Sequence, residues 1–116
     1  MDGVIADTEP VHEKVWKNFF KSYGVEVTDE DLKSMKGKSG VEVVKMFLPS
    51  VTSDDEAQRL RDERAEIFLL ELRDNIVEVA GFTDFLSLLI RRNIKVAVAT
   101  SAEENRANLI LGKIEC

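Results

Sequence analysis

The sequence predicts an α/β fold in which a parallel core is interrupted by an all-helical insert, and three observations predict it. Ile94-Lys95-Val96-Ala97-Val98-Ala99 is a short run of mostly β-branched and small residues such as a parallel sheet buries on both faces. The opening stretch Met1 to Pro10 sets an acidic residue, a turn glycine and a second acidic residue where a buried strand would end. Between them, everything from about residue 9 to residue 75 reads as helix. Strand-to-helix alternation around such an insert is the pattern of an α/β core carrying a helical cap. The expected boundaries are 1–8 and 76–116 for the partial core and 9–75 for the cap.

Glu9 to Tyr23 carries Val11, Val15, Trp16, Phe19, Phe20 and Tyr23 in steps of three and four, one side of a helix that Gly24 ends. Thr28 caps a short second helix to Ser34, with Asp29, Glu30 and Asp31 in the first turn, where the dipole favours negative charge. After the break Met35-Lys36-Gly37-Lys38-Ser39-Gly40, the capping-box spacing of Ser39 and Glu42 predicts a third helix to about Leu48, closed by Pro49. Ser53 and Glu56 repeat that spacing. They open a fourth helix to about Asp74, with Ala57, Leu60, Ile67, Phe68 and Leu72 on its buried side. Its Glu and Arg residues read as a solvated face with local ion pairs. Val77 to Gly81 is a connection to a fifth amphipathic helix through Phe82, Phe85, Leu86, Leu89 and Ile90, and Glu103 to Leu111 forms the last helix.

With 116 residues, 44% apolar and 33% charged, the chain has the composition of one modest globular domain. Sixteen basic against twenty-two acidic side chains give a net charge of −6, and no Lys or Arg block is interleaved with aromatics. A nucleic-acid partner is not expected. The single cysteine, Cys116, cannot form an internal disulfide, which favours a reducing, cytoplasmic setting. An acidic opening and the lack of a long apolar run argue against a targeting segment or a membrane span.

Asp2-Gly3 alone reads sooner as a turn dipeptide than as a functional pair. Thr100 and Ser101 read equally as helix caps, although a capped helix N-terminus is also an anion site. Together they suggest phosphate chemistry at the carboxyl edge of a sheet, with a carboxyl to move a proton and a hydroxyl plus backbone amides to hold oxygens.

Three stretches, Asp2-Gly3-Val4-Ile5-Ala6-Asp7-Thr8-Glu9-Pro10-Val11-His12, Lys36-Gly37-Lys38-Ser39 and Val96-Ala97-Val98-Ala99-Thr100-Ser101, resemble the haloacid dehalogenase superfamily. The likeness is to its β-phosphoglucomutase-like, sugar-phosphate phosphatase branch. It implies a Rossmann-like core with a cap inserted after the first strand, and Mg²⁺-dependent phosphoryl transfer from a small phosphorylated metabolite through an aspartyl-phosphate. In the family motif Asp-x-Asp-Gly the first Asp is the nucleophile and the second the general acid/base. Met1 falls on the x and Asp2, with Gly3 after it, on the second Asp.

By the same match the Asp2 carbonyl is a Mg²⁺ ligand, Thr100 the phosphate-binding hydroxyl and Ser101 its neighbour. Lys113 and Glu115 lie too near Thr100 to be the family's later lysine and acidic site. The resemblance therefore implies that the chain as given lacks the nucleophile and the distal motifs, and is inactive without a complementing chain. His12 resembles a hinge-proximal histidine of the branch, or is simply a surface or core histidine. Lys36, Gly37, Lys38 and Ser39 match the substrate-specificity loop of the cap, or are solvated loop residues. Trp16 reads as core. The branch often has arginine two residues after Lys38, where Gly40 stands here, which argues against a sugar bisphosphate and mutase activity. The competing reading is a non-enzymatic acidic helical module, the cap alone, binding a partner through apolar surface.

Overall fold

The computed structural model describes residues 1–114, and Glu115 and Cys116, both weighed above, lie outside the described residues. The helices are α1 Glu9–Ser22, α2 Asp29–Met35, α3 Gly40–Phe47, α4 Asp54–Asp74, α5 Phe82–Arg91 and α6 Glu104–Ile114. They fall into two compact units, Met1–Pro10 with Leu72–Cys116, and Val11–Glu71.

In the unit Val11–Glu71 local side-chain chemistry sets where helices start. The Thr28 hydroxyl accepts from the Asp31 N–H at 3.1 Å while the Asp31 carboxylate accepts from the Thr28 N–H at 2.9 Å. Ser39 and Glu42 repeat this at 3.2 and 2.7 Å. Each reciprocal pair satisfies two donors that a helix N-terminus would otherwise leave open. Ser53 supplies half the motif, its hydroxyl accepting from the Glu56 N–H at 3.1 Å.

The helices so placed bury a common core that includes Phe19, Phe20, Leu32, Val44, Val51 and Leu60. Phe20 is fully buried, with Trp16 stacked on it at 5.3 Å, Phe47 at 5.2 Å and the edge-on Phe19 at 5.5 Å. Trp16 thus packs against the core. On α4 the buried positions are Ala57, Leu60, Arg64, Phe68 and Leu72, a row advancing by three and four. Ile67, expected inside, is 41% exposed. It lies roughly 100° around the helix from Phe68, and the row that Leu60 and Phe68 define passes through Arg64 instead.

The other unit departs further from expectation. Residues 94–99 form no strand, and no strand exists among the described residues, so the partial Rossmann-like parallel core is not seen. A parallel strand is held by ladder partners on both sides, and none lies beside this run. Ile94, Val96 and Val98 are about half exposed as a result. What pairing there is involves the opening loop: Asp2 bridges Ala6, and Ala6 bridges Glu78 in antiparallel sense. The Asp7 N–H donates to the Val77 carbonyl and the Val79 N–H to the Ile5 carbonyl, both at 2.8 Å. The segment read as a plain connection is therefore the loop's partner. Helix α5 is amphipathic in sequence and buries no residue, with Phe85 and Ile90 each 59% exposed. Its apolar stripe is the kind that an adjacent sheet or helix normally covers. No helix among the described residues is long and apolar enough to cross a membrane.

Candidate functional site

The opening loop folds back on its own first residue. The N–H groups of Val4 and Ile5 donate to the Met1 carbonyl at 3.1 and 2.8 Å, and Gly3 donates to Ala6 at 2.8 Å. Gly3 has φ +74°, a conformation that strains any residue with a Cβ. This turn holds the Asp2 carboxylate between two donors. Oδ1 accepts from the buried Thr8 hydroxyl at 2.7 Å, and Oδ2 accepts from Arg106 Nη2 at 3.2 Å. Arg106 belongs to the first turn of α6, so this ion pair ties that helix to the loop.

Thr100 and Ser101 are exposed just ahead of α6, and the Thr100 hydroxyl accepts from the Ala102 N–H at 3.1 Å, a local turn. The sequence does not single out Arg106, because a helical arginine carries no periodic signal that separates a site partner from a solvated charge.

In the unit Val11–Glu71, Lys36 is the C-cap of α2, Gly37 turns the chain at φ +78°, the Lys38 N–H donates to Met35 at 3.1 Å, and Ser39 caps α3. All four are exposed. The Ser39 hydroxyl is engaged by its helix, and the Glu42 carboxylate already occupies the N-terminal end of α3. Gly40 has a physical reason: a Cβ there would lie 2.5 Å from Arg61 Cγ, so the Arg61 stem from α4 fills the space a side chain would need.

The Ser39 backbone N–H, and then the Ser39 hydroxyl, hold the Glu42 carboxyl below its ordinary value of 4.5. A folded-state value that is depressed adds stability above the unfolded value, and that stability is lost as pH falls through the folded value. Wild type is therefore expected to melt above Glu42→Gln at neutral pH, with the gap closing as the pH drops below 4.5. Thermal melts across a pH series measure this, and a gap that does not change with pH would refute it.

His12 is partly buried on α1, its ring stacked on Phe68 at 4.1 Å and its Nδ1 2.8 Å from Arg64 Nη2. Among the described residues no three His, Cys, Asp or Glu side chains gather as a metal-binding group. A hard cation takes about six oxygens, and of these the resemblance assigns only the Asp2 carbonyl. These residues do not by themselves make a Mg²⁺ site.

The profile of one hydrolase family matches the chain over residues 1–116. The chain belongs to the haloacid dehalogenase-like hydrolase family. Two curated relatives bear the names of phosphatases of phosphorylated carbohydrates. The phosphorylated carbohydrates phosphatase of Thermotoga maritima is 26% identical over 111 residues, 92% of this chain and 50% of the relative. The fructose-1-phosphate phosphatase YqaB of Escherichia coli is 26% identical over 114 residues, 98% of this chain and 60% of the relative.

The chain spans half to three-fifths of the length of these curated relatives. Among solved structures, a family IA haloacid dehalogenase hydrolase from Entamoeba histolytica superposes with a TM-score of 0.85 at 21% identity, over 97% of this chain and 52% of that one. A candidate β-phosphoglucomutase from Thermotoga maritima gives 0.75 at 23% identity, over 99% and 53%. The haloacid dehalogenase-type fold is thereby established for the chain, although its parallel sheet does not appear within the described residues.

Proposed function

We propose that these residues belong to a Mg²⁺-dependent phosphatase of small phosphate monoesters, sugar phosphates foremost, that works through an aspartyl-phosphate. The observation that carries this reading is the Asp2 carboxyl, fixed at a glycine turn by Thr8 and Arg106. The two carbohydrate phosphatases among the relatives support the substrate class. On this reading Met1–Pro10 and Leu72–Cys116 are the core portion and Val11–Glu71 the helical cap.

Asp2 protonates the leaving oxygen and then takes a proton from the attacking water, work for which a positioned carboxyl is suited. The Thr100 hydroxyl, with Ser101 beside it, holds phosphate oxygens. Lys36, Gly37, Lys38 and Ser39 meet the sugar, and His12 contacts the substrate from α1. The Mg²⁺ that family membership implies needs ligands beyond Asp2, and these 116 residues span only half to three-fifths of the curated relatives. They act, on this reading, only with a complementing segment. Phosphoryl transfer depends on positioning and charge neutralisation together, so a partial site forfeits nearly all its rate.

The test is phosphate release from a panel of sugar monophosphates that includes fructose 1-phosphate, with Mg²⁺ present. The 116-residue chain is expected to release none, and the same chain joined to the polypeptide encoded by its flanking DNA is expected to turn over. Turnover by the 116 residues alone would overturn the incomplete-site reading. Failure of the joined polypeptide on every sugar phosphate would overturn the phosphatase reading and favour the acidic helical module, for which the self-contained core of Val11–Glu71 speaks.

A further inference from the structure

We propose that Arg64 is a positioning residue that locks His12 into a single neutral tautomer, with its proton on Nε2. His12 then meets a ligand as an N–H donor and not as a base.

His12 and Trp16 are one turn apart on α1, and Arg64 and Phe68 one turn apart on α4. The two pairs interlock within the unit Val11–Glu71. The Arg64 guanidinium carbon lies 4.1 Å from the centroid of Trp16 and 5.0 Å from that of Phe68. The His12 ring lies on Phe68 at 4.1 Å with 17° between the planes. Arg64 is only 8% exposed, so its charge is drawn out of water onto two aromatic faces that attract it electrostatically. A planar guanidinium can face aromatic rings while its N–H groups reach a partner in its own plane.

The protonation of His12 follows from donor arithmetic. Guanidinium has five N–H donors, no acceptor, and keeps its charge throughout the range in which proteins fold. At 2.8 Å from Nδ1, Arg64 Nη2 can only donate. Nδ1 therefore offers a lone pair, and the imidazole proton sits on Nε2. An imidazolium would set N–H against N–H and place two cations in contact. Tilting the imidazole out of this plane would cost its stack on Phe68.

The tautomer stands on geometry alone. Its functional half, that His12 donates to a substrate oxygen, rests on the proposed phosphatase reading. The chain contains one histidine, so every imidazole signal in a long-range ¹H–¹⁵N spectrum of the 116-residue chain comes from His12. At neutral pH the expected pattern is one unmixed pyridine-type nitrogen, Nδ1, one pyrrole-type nitrogen, Nε2, and a ¹⁵N–¹⁵N coupling across the bond to Arg64.

Arg64→Lys keeps a donor-only cation and is expected to keep the unmixed pattern. Arg64→Met keeps an aliphatic stem without donors and is expected to lose the coupling and collapse the shift difference toward an averaged one. A proton on Nδ1, protonation of both nitrogens, or an unchanged pattern in Arg64→Met would overturn the proposal. Should Arg64→Met prove unfolded by circular dichroism, the coupling in wild type and the pattern in Arg64→Lys decide. Phosphate release does not enter this readout, so failure of the phosphatase reading and failure of the tautomer are separate results.

Discussion

Replacing Phe20 with alanine is expected to cost about 3–5 kcal/mol of unfolding free energy. Phe20 is fully buried and touches Trp16, Phe19 and Phe47, rings contributed by α1 and α3. Truncation removes the transfer energy of a whole ring. It also leaves a cavity that those rings, fixed on their own helices, can fill only in part. Domains of this size are stable by roughly 5–15 kcal/mol, so the variant should sit near or past its folding threshold.

The control is Phe85→Ala on α5, where the ring is 59% exposed and the change should stay within about 0.5 kcal/mol. Urea denaturation followed by far-ultraviolet circular dichroism measures both. A Phe20→Ala effect under about 1 kcal/mol, well below the usual range for such a truncation, would mean that this core is loosely packed. A Phe85→Ala effect as large as that of Phe20→Ala would mean that the apolar stripe of α5 is covered in solution.

The contrast between these two phenylalanines shows which parts of the fold were legible in the sequence. Caps were legible because their chemistry is local: Thr28 with Asp31 and Ser39 with Glu42 each close a ring within three residues, and the helices start where those residues stand. The pattern of Ile94 to Ala99 was read as a strand, but a strand is a property of its neighbours, and no ladder forms beside it. By composition Arg64 belongs to a solvated Glu-Arg face. Its place in the row Leu60, Arg64, Phe68, Leu72 was the available clue, and the decision to bury it belongs to Trp16 and Phe68. In the site, the Asp2-Gly3 turn was legible. The donors that hold its carboxylate were not, since Arg106 is 104 residues away in sequence.

Those donors make the second large effect separable from stability. On the proposed phosphatase reading, Asp2→Asn in the active polypeptide is expected to lower turnover roughly 100- to 10,000-fold, the range that a positioned proton-transfer group contributes. An amide has the shape of the carboxylate but cannot carry the proton. Its oxygen still accepts from Thr8, and what is lost structurally is the charge opposite Arg106 and the acceptor for its Nη2, since the amide nitrogen only donates.

The side chains of Asp2 and Arg106 keep 28% and 26% exposure, and partly solvated pairs of this kind contribute roughly 0–1 kcal/mol. Asp2→Asn should therefore fold and melt close to wild type while losing its chemistry. Thr8→Val, which removes the donor to Oδ1 and leaves the carboxyl in place, should fall between the two in turnover. Kinetics and thermal melts on the same preparations check the order. Near-normal turnover by Asp2→Asn would remove Asp2 from proton transfer. A turnover loss matched by an equal loss of folded protein would assign the Asp2–Thr8–Arg106 cluster to holding α6 against the opening loop.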